Sequence, residues 1–161
     1  MNGLGRDAFA EALAPLFEAA GPLADALYAA RPFDSYSGLI ARAEAVAAAL
    51  LPAQQVEVVN AHPRIGANAQ DVSALSYREQ GYAAESGQDL TTVYVALDRL
   101  NREYEARFGF RFVVFVNKRS KPEILEVLRQ RIDASRDAEL QTAIAAIFLI
   151  ARDRLAALET A

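Results

Sequence analysis

The stretch DAELQTAIAAIFLIARDRLAALE, residues 137–159, decides the fold class. Its apolar residues recur every three or four positions, which predicts one long amphipathic helix with a buried face. Together with the helical segments upstream, it predicts an all-α fold, a single-domain multi-helix bundle over residues 1–161. The expected buried stripe comprises Leu140, Ile144, Ile147, Ile150, Ala151, Leu155 and Leu158.

Prolines, glycines and capping residues divide the rest of the chain into shorter helices. Ser120-Lys121-Pro122-Glu123 predicts a helix start, with serine as N-cap, proline in the first turn and glutamate at the third helical position. Ser76 and Glu79 have the same Ser-x-x-Glu spacing, on a short helix that Gly81 would stop. The expected helices run from Asp7 as N-cap to about Ala20, from Gly21 to about Ala30, from Ser35 as N-cap to about Leu50, from Pro52 towards Ala61, from Thr91 or Thr92 through Arg107, from Ser120 to about Ser135, and from Asp137 to Glu159.

The segment Phe112-Val113-Val114-Phe115-Val116 differs from the rest of the chain. Its β-branched and aromatic residues alone favour a buried strand, but no second convincing strand exists to pair with it. We therefore expect one short buried extended segment near 112–116 inside a helical protein. Buried N–H and C=O groups need partners, and a polar ligand could be one of them.

The composition excludes several classes of function. The 161 residues carry 17 basic and 21 acidic side chains, and this net charge of -4 argues against general nucleic-acid binding. There is no cysteine and one histidine, so thiol nucleophiles, disulfides and a multi-histidine zinc site within one chain are excluded. No apolar run reaches membrane-spanning length, and the N-terminus lacks a signal peptide's apolar core. These observations favour a soluble, cytoplasmic protein.

The only histidine, His62, lies in the string Asn60-Ala61-His62-Pro63-Arg64-Ile65-Gly66. It is the one imidazole that could exchange protons near neutral pH. The following proline biases it towards extended backbone at the end of a helix, where it could point into a cleft. A lone histidine is by itself a weak motif, and on this evidence a structural histidine is the favoured interpretation.

Three further side chains could complete an acid–base site with His62. Glu79 is a carboxylate that would favour the imidazolium if it lay beside the ring. Ser76 lies one helical turn before it and faces the same way, although helix capping explains both residues equally well. Arg154 interrupts the apolar face of the last helix and could bind a carboxylate or a ureido carbonyl, although spacing alone favours a solvated arginine. Surface positions are the default for the remaining basic candidates, Arg64, Arg78, Arg111, Lys118, Arg119 and Lys121.

Taken together, five strings occur in an order that resembles one known family, and they cover essentially the whole chain. They are His62-Pro63-Arg64-Ile65-Gly66, Ser76-x-x-Glu79-Gln80, Asn101-x-x-Tyr104-x-x-Arg107-Phe108-Gly109-Phe110-x-Phe112, Ser120-Lys121-x-Glu123-Ile124-Leu125 and Ile150-Ala151-Arg152-x-Arg154-Leu155. This pattern is similar to that of 2-oxo-4-hydroxy-4-carboxy-5-ureidoimidazoline (OHCU) decarboxylases. The chain departs from the commonest family pattern at Arg64-Ile65, where many members have Asp-Leu, and at Arg111, where proline is frequent.

The resemblance implies an all-helical, cofactor-free enzyme that is usually a homodimer. Its reaction would be the decarboxylation of OHCU to (S)-allantoin in urate and purine catabolism, with OHCU as the small-molecule partner and neither nucleic acid nor membrane involved. By the matching motifs, His62 and Glu79 would be catalytic. The residues expected to bind substrate are Pro63, Ser76, Phe110, Phe112, Val113, Val114, Phe115, Val116 and Arg154.

Two alternative functions remain open at this point. One is a related lyase that acts on another ureido or carboxylate compound. The other is a catalytically silent helical interaction module, for which the combination of His62, Ser76, Glu79 and Arg154 would have no use.

Overall fold

The computed structural model describes residues 1–18, 20–66, 77, 80–81 and 90–160. Within these ranges the regular secondary structure is helical without any strand, which confirms the all-α prediction. None of the helices found there is both long and apolar enough to cross a membrane. The helices are α1 (Arg6–Phe17), α2 (Gly21–Ala29), α3 (Tyr36–Ala49), α4 (Pro52–Asn60), α5 (Thr91–Phe108), α6 (Lys121–Arg131) and α7 (Arg136–Glu159).

The helix starts follow the capping residues of the sequence closely. Ser35 Oγ accepts a hydrogen bond from the N–H of Gly38 at 3.0 Å. At the start of α6 the Glu123 carboxylate accepts from the N–H of Ser120 at 2.8 Å, which is one half of a capping box, and from the Ser120 hydroxyl at 2.7 Å. One start differs, because Gly5 and not Asp7 is the N-cap of α1. Asp7 lies in the first turn of that helix, where a carboxylate still interacts favourably with the helix dipole.

The helix ends agree less well with the sequence. α1 stops at Phe17 rather than near Ala20, and α6 stops at Arg131 rather than near Ser135. α5 ends as expected, since Gly109 adopts a left-handed conformation with φ 79°. α2, α3 and α4 also end within one residue of the expected positions, at Ala29, Ala49 and Asn60.

The first of two compact units comprises residues 1–62 and 144–161. It contains α1 to α4 and the C-terminal part of α7, packed around an apolar core in which the rings of Phe17 and Phe148 meet edge to face at 5.9 Å. The buried stripe of α7 ends at Leu155, because Leu158 is 51% exposed. Other fully buried side chains of this unit are Phe9, Leu13, Leu23, Leu27, Leu39, Ile40, Val58, Val59 and Ile147.

The second compact unit comprises residues 63–143. Its core is built around Tyr104 of α5, whose ring meets those of Phe108, Phe110 and Phe112 at centroid distances of 4.6, 5.9 and 5.4 Å. Residues 111–116 belong to neither a helix nor a strand, which leaves the short buried extended segment expected near 112–116 uncontradicted. Apolar side chains that complete this core are Leu97, Leu100, Ile124, Leu125, Leu128 and Leu140.

Candidate active site

His62 lies immediately beyond the C-terminal end of α4, in the first compact unit. Its backbone N–H donates to the carbonyl of Val59 at 3.2 Å, which continues the helical hydrogen bonding for one more residue. The side chain is 2% exposed, so the imidazole is almost completely removed from bulk water. Pro63 then turns the chain out of the helix, as its lack of an N–H requires.

Burial, the larger cause, and the positive charge of Arg154 together lower the pKa of His62 to about 4. The carboxylate of Glu18 and the backbone of Val58 raise this pKa, but by less. The imidazole is therefore neutral at pH 7 and can accept a proton.

Arg154 of α7 is buried in the same compact unit, with 2% of the residue exposed. Its NH2 group donates to Glu18 Oε1 at 2.8 Å, and NH1 lies 3.4 Å from the carbonyl oxygen of Pro15. The sequence-based preference for a solvated arginine is therefore wrong. A guanidinium can be buried on the apolar face of α7 because a carboxylate neutralises its charge and accepts its hydrogen bond.

Glu18 was not singled out by the sequence, although it is the residue that pairs with Arg154. It follows the last residue of α1 and has φ 55°, a region that residues other than glycine rarely adopt. Such a conformation costs on the order of 1 kcal/mol and persists where the surroundings hold it in place. The ion pair with Arg154 supplies one such constraint, and no local motif in the sequence announces it.

The remaining candidates differ in how far the structure describes them. Ser76 and Glu79, the predicted substrate-binding serine and catalytic carboxylate, lie outside the described residues. Pro63 is half-buried and belongs to the second compact unit. The other predicted substrate contacts lie in residues 110–116, which we call the 110–116 segment. Val114 and Phe115 are half-buried there. The buried ones are Phe110, Phe112, Val113 and Val116.

Arginine side chains bind the backbone carbonyls of the 110–116 segment. Arg131 NH1 donates to the carbonyl of Val113 at 2.8 Å. Arg119 donates from Nε to the carbonyl of Val116 at 3.1 Å, and from NH2 to the carbonyl of Phe115. Hydrogen bonds from side chains of the second unit thus satisfy part of the backbone of this segment.

The loop that follows His62 is held by polar contacts that the sequence did not predict. Gln80 Oε1 accepts from the N–H of Gly66 at 3.0 Å, and Asn101 Nδ2 donates to the carbonyl of Ile65 at 3.1 Å. Gln80 in turn accepts, at its own backbone carbonyl, a hydrogen bond from the buried ammonium of Lys121. Lys121 is 2% exposed, so its expected surface position is wrong.

Arg64, a departure from the common family pattern, has a defined partner. Its guanidinium forms a two-pronged ion pair with Glu105 of α5, with Nε 2.6 Å from Oε1. Over the described ranges, no cluster of three or more histidine, aspartate or glutamate side chains has the spacing of a metal site.

The chain is similar to proteins of one known family over almost its whole length. The family model described as OHCU decarboxylase matches residues 2–156. The chain is 32% identical to the uric acid degradation bifunctional protein PucL of Bacillus subtilis, over 97% of this chain and 31% of that protein. It is 30% identical to the 2-oxo-4-hydroxy-4-carboxy-5-ureidoimidazoline decarboxylase of Haloferax volcanii, over 97% of this chain and 92% of that one.

A solved structure shares the fold. The crystal structure of an OHCU decarboxylase in the presence of (S)-allantoin superimposes with a TM-score of 0.73 at 22% identity, over 94% of this chain and 98% of that one. The chain thus spans about a third of the bifunctional bacterial relative and nearly the whole of the Haloferax volcanii protein and of the chain in the solved structure.

Proposed function

Because this chain belongs to the OHCU decarboxylase family, we propose that it catalyses the cofactor-independent decarboxylation of OHCU to (S)-allantoin in urate catabolism. The observation that carries the proposal beyond the family match is the neutral, buried imidazole of His62 beside the buried pair of Arg154 and Glu18. A neutral base close to a held cation suits an anionic substrate that must lose a proton and a carboxylate.

The chemistry of the substrate requires proton transfer and no external electron acceptor. The bond between the carboxylate carbon and the ring carbon breaks, carbon dioxide leaves, and the electron pair moves into the neighbouring imine. The imine nitrogen takes up one proton. The ring hydroxyl then becomes a carbonyl as its proton is lost, and the ureido-bearing carbon gains a proton on one face, which gives a single enantiomer of allantoin.

His62 is the proposed base for the hydroxyl proton. An imidazole whose pKa is about 4 is uncharged at neutral pH but is a weak base. A bound anionic substrate would favour the imidazolium and raise this pKa, so the base would strengthen when the substrate arrives. Glu79 is the proposed catalytic partner that helps direct reprotonation, an assignment that rests on the Ser76-x-x-Glu79 motif.

Arg154 is the proposed anchor for the polar groups of the substrate. Its guanidinium presents several donors, and the Glu18 carboxylate holds it from one side through NH2. The other proposed substrate contacts are Ser76 and Pro63 together with Phe110, Phe112, Val113, Val114, Phe115 and Val116. Backbone groups of these last residues would bind the ring and the ureido group.

We also propose that residues 1–161 act as one domain, that the protein is a homodimer, and that it works in the cytoplasm. The family match over residues 2–156 supports the first of these, and the resemblance to the family supports the other two. Sedimentation equilibrium of the purified chain would test the dimer. A concentration-independent monomer mass would contradict it.

The test of the reaction is circular dichroism of allantoin formation from freshly generated OHCU, for the wild-type protein, His62→Gln and Arg152→Gln. The wild type is expected to give the (S)-allantoin signal, and His62→Gln to lose roughly a hundredfold in rate. Arg152 lies on α7 two residues before Arg154, in an exposed ion pair with Glu44, so its variant is the matched control and should keep full activity.

Three outcomes would contradict the proposal. A folded wild-type protein that adds nothing to the slow, racemic background would favour the silent interaction module. Full activity of His62→Gln with substrate in excess would refute the acid–base scheme. Turnover of another ureido or carboxylate compound in preference to OHCU would favour the related lyase.

A further inference from the structure

Arg131 links the 110–116 segment to a buried carboxylate within the second compact unit. Its NH1 group donates to the carbonyl of Val113 at 2.8 Å, and its Nε donates to Glu139 Oε1 at 2.7 Å. The same guanidinium lies over the ring of Phe112, 4.6 Å from its centroid. One rigid, planar group therefore touches two consecutive residues of the segment and a fixed anion.

Glu139 is in turn held from a second direction. The Tyr104 hydroxyl donates to Glu139 Oε1 at 2.5 Å, and the Glu139 side chain is 2% exposed. Tyr104 is completely buried, and its ring packs edge to face against Phe112 and Phe110. The carboxylate cannot move without breaking buried hydrogen bonds, so it fixes the orientation of the guanidinium.

This arrangement exceeds what stability of the core requires. Burial of an ion pair costs desolvation energy that its mutual attraction only partly returns, so apolar side chains would often serve a core as well. What the charged pair supplies is direction, because a planar fork holds the Val113 carbonyl at one point in space. The Arg131 side chain, which contacts that carbonyl, is 14% exposed.

We propose that Arg131 is a positioning residue for the reaction, with Glu139 as the fixed group that orients it. It sets the backbone of Val113 and its neighbours in the geometry that binds the ring and ureido group of the substrate. This inference rests on the proposed function, in which the 110–116 segment contacts OHCU. Arg131 does not touch the substrate itself, so its loss should weaken substrate binding more than it slows the chemical step.

The experiment compares Arg131→Ala with Tyr104→Phe and Arg129→Ala in steady-state decarboxylation of OHCU. Arg131→Ala is expected to raise KM by about tenfold or more while kcat changes by less than about threefold. Added guanidinium ion at millimolar concentration should restore KM, because it can occupy the vacated place between Glu139 and the Val113 carbonyl.

The other two variants are controls for stability and for surface charge. Tyr104→Phe deletes one buried hydrogen bond to Glu139 but leaves both contacts of Arg131, so it should lower the thermal midpoint and raise KM by less than Arg131→Ala does. Arg129 forms an exposed ion pair with Glu126 on the same helix, and its variant should resemble the wild type in both respects.

The outcomes separate this inference from the proposed function. A lower thermal midpoint of Arg131→Ala with wild-type KM would overturn the positioning role. If the wild-type protein itself does not decarboxylate OHCU, the proposed function fails, and amide hydrogen exchange then tests only whether Arg131 holds the backbone of the 110–116 segment. Faster exchange confined to residues 113–116 in Arg131→Ala, reversed by guanidinium, would support this role of Arg131, and unchanged exchange would overturn it.

A second variant covers the case in which Arg131→Ala does not fold. Arg131→Lys keeps a positive charge beside Glu139, but a single ammonium cannot hold the carboxylate and the Val113 carbonyl in the fixed geometry of the guanidinium fork. It should raise KM by about threefold to tenfold and keep most of the wild-type kcat. A KM equal to that of the wild type would overturn the proposal.

Discussion

The single buried histidine makes the stability of this protein depend on pH in a predictable direction. The pKa of His62 is about 4 in the folded chain and 6.5 in an unfolded one. Below pH 6.5 the unfolded state binds a proton that the folded state does not, so folding becomes less favourable as the pH falls. The effect is absent above pH 6.5 and complete once the pH falls below about 4.

The size of the effect follows from the difference between the two pKa values. Each pH unit between them costs about 1.4 kcal/mol, so lowering the pH from 7 to 5 should remove about 2 kcal/mol of the free energy of unfolding through this one residue. At pH 4 and below, the loss should approach about 3 kcal/mol. These values apply to His62 because the side chain is almost completely buried.

The assay is urea unfolding of the wild type and of His62→Gln at pH 7 and pH 5. Carboxylates also titrate in this range, but they contribute to both proteins, so the difference between the two pH dependences isolates the histidine. The wild type should lose about 2 kcal/mol more than the variant. A difference near zero would refute the depressed pKa.

A direct measurement needs no variant. Since the chain has one histidine, an NMR titration of protein labelled with ¹³C-histidine gives one imidazole resonance without further assignment. A midpoint well below 6 would agree with burial as the dominant cause. A His62 midpoint at or above 6.5 would show that a nearby carboxylate outweighs burial and Arg154, and it would contradict the lowered pKa.

Three further predictions concern stability and the same imidazole. Arg154→Gln should raise the pKa of His62, because it removes a neighbouring positive charge, and should lower the free energy of unfolding by about 3 kcal/mol, because it leaves the Glu18 carboxylate unpaired. The control variant Arg152→Gln should change neither quantity in the same NMR titration and urea unfolding. An unchanged His62 midpoint in Arg154→Gln would contradict the assigned electrostatic coupling. Ser120→Ala should cost about 1 kcal/mol in urea unfolding by opening the capping box of α6, and an unchanged midpoint would show that the cap contributes nothing. Gly109→Ala should cost about 1 kcal/mol through its φ of 79° alone, since a Cβ there meets no atom within 4 Å; a stabilised variant would contradict this.

Local patterns predicted the helical fold and most helix starts correctly. The Ser120–Glu123 capping box and the left-handed Gly109 depend on side chains a few residues apart, so the sequence contains all the information needed. The same is true of the apolar stripe of α7 as far as Leu155. At the ends of α1 and α6 the predicted boundaries were too long by three or four residues.

Charged residues on apolar faces were the main source of wrong expectations. Arg154 and Lys121 were both expected at the surface, and both are buried. Their partners lie far away in the sequence, at Glu18 and at the backbone carbonyl of Gln80. A charged side chain is buried only where a partner meets it, and a spacing rule within one helix carries no information about that partner.

The sequence alone determined the fold class, the family and the identity of His62 as the one possible imidazole base, because these depend on composition and on local order. Only the tertiary structure decided the protonation state of that imidazole, the ion pair of Arg154 with Glu18, and the hydrogen bond from Arg131 to the 110–116 segment. The physical reason is that a pKa and a buried ion pair depend on which groups surround a side chain in space. Groups far apart in the chain become neighbours only when the helices pack.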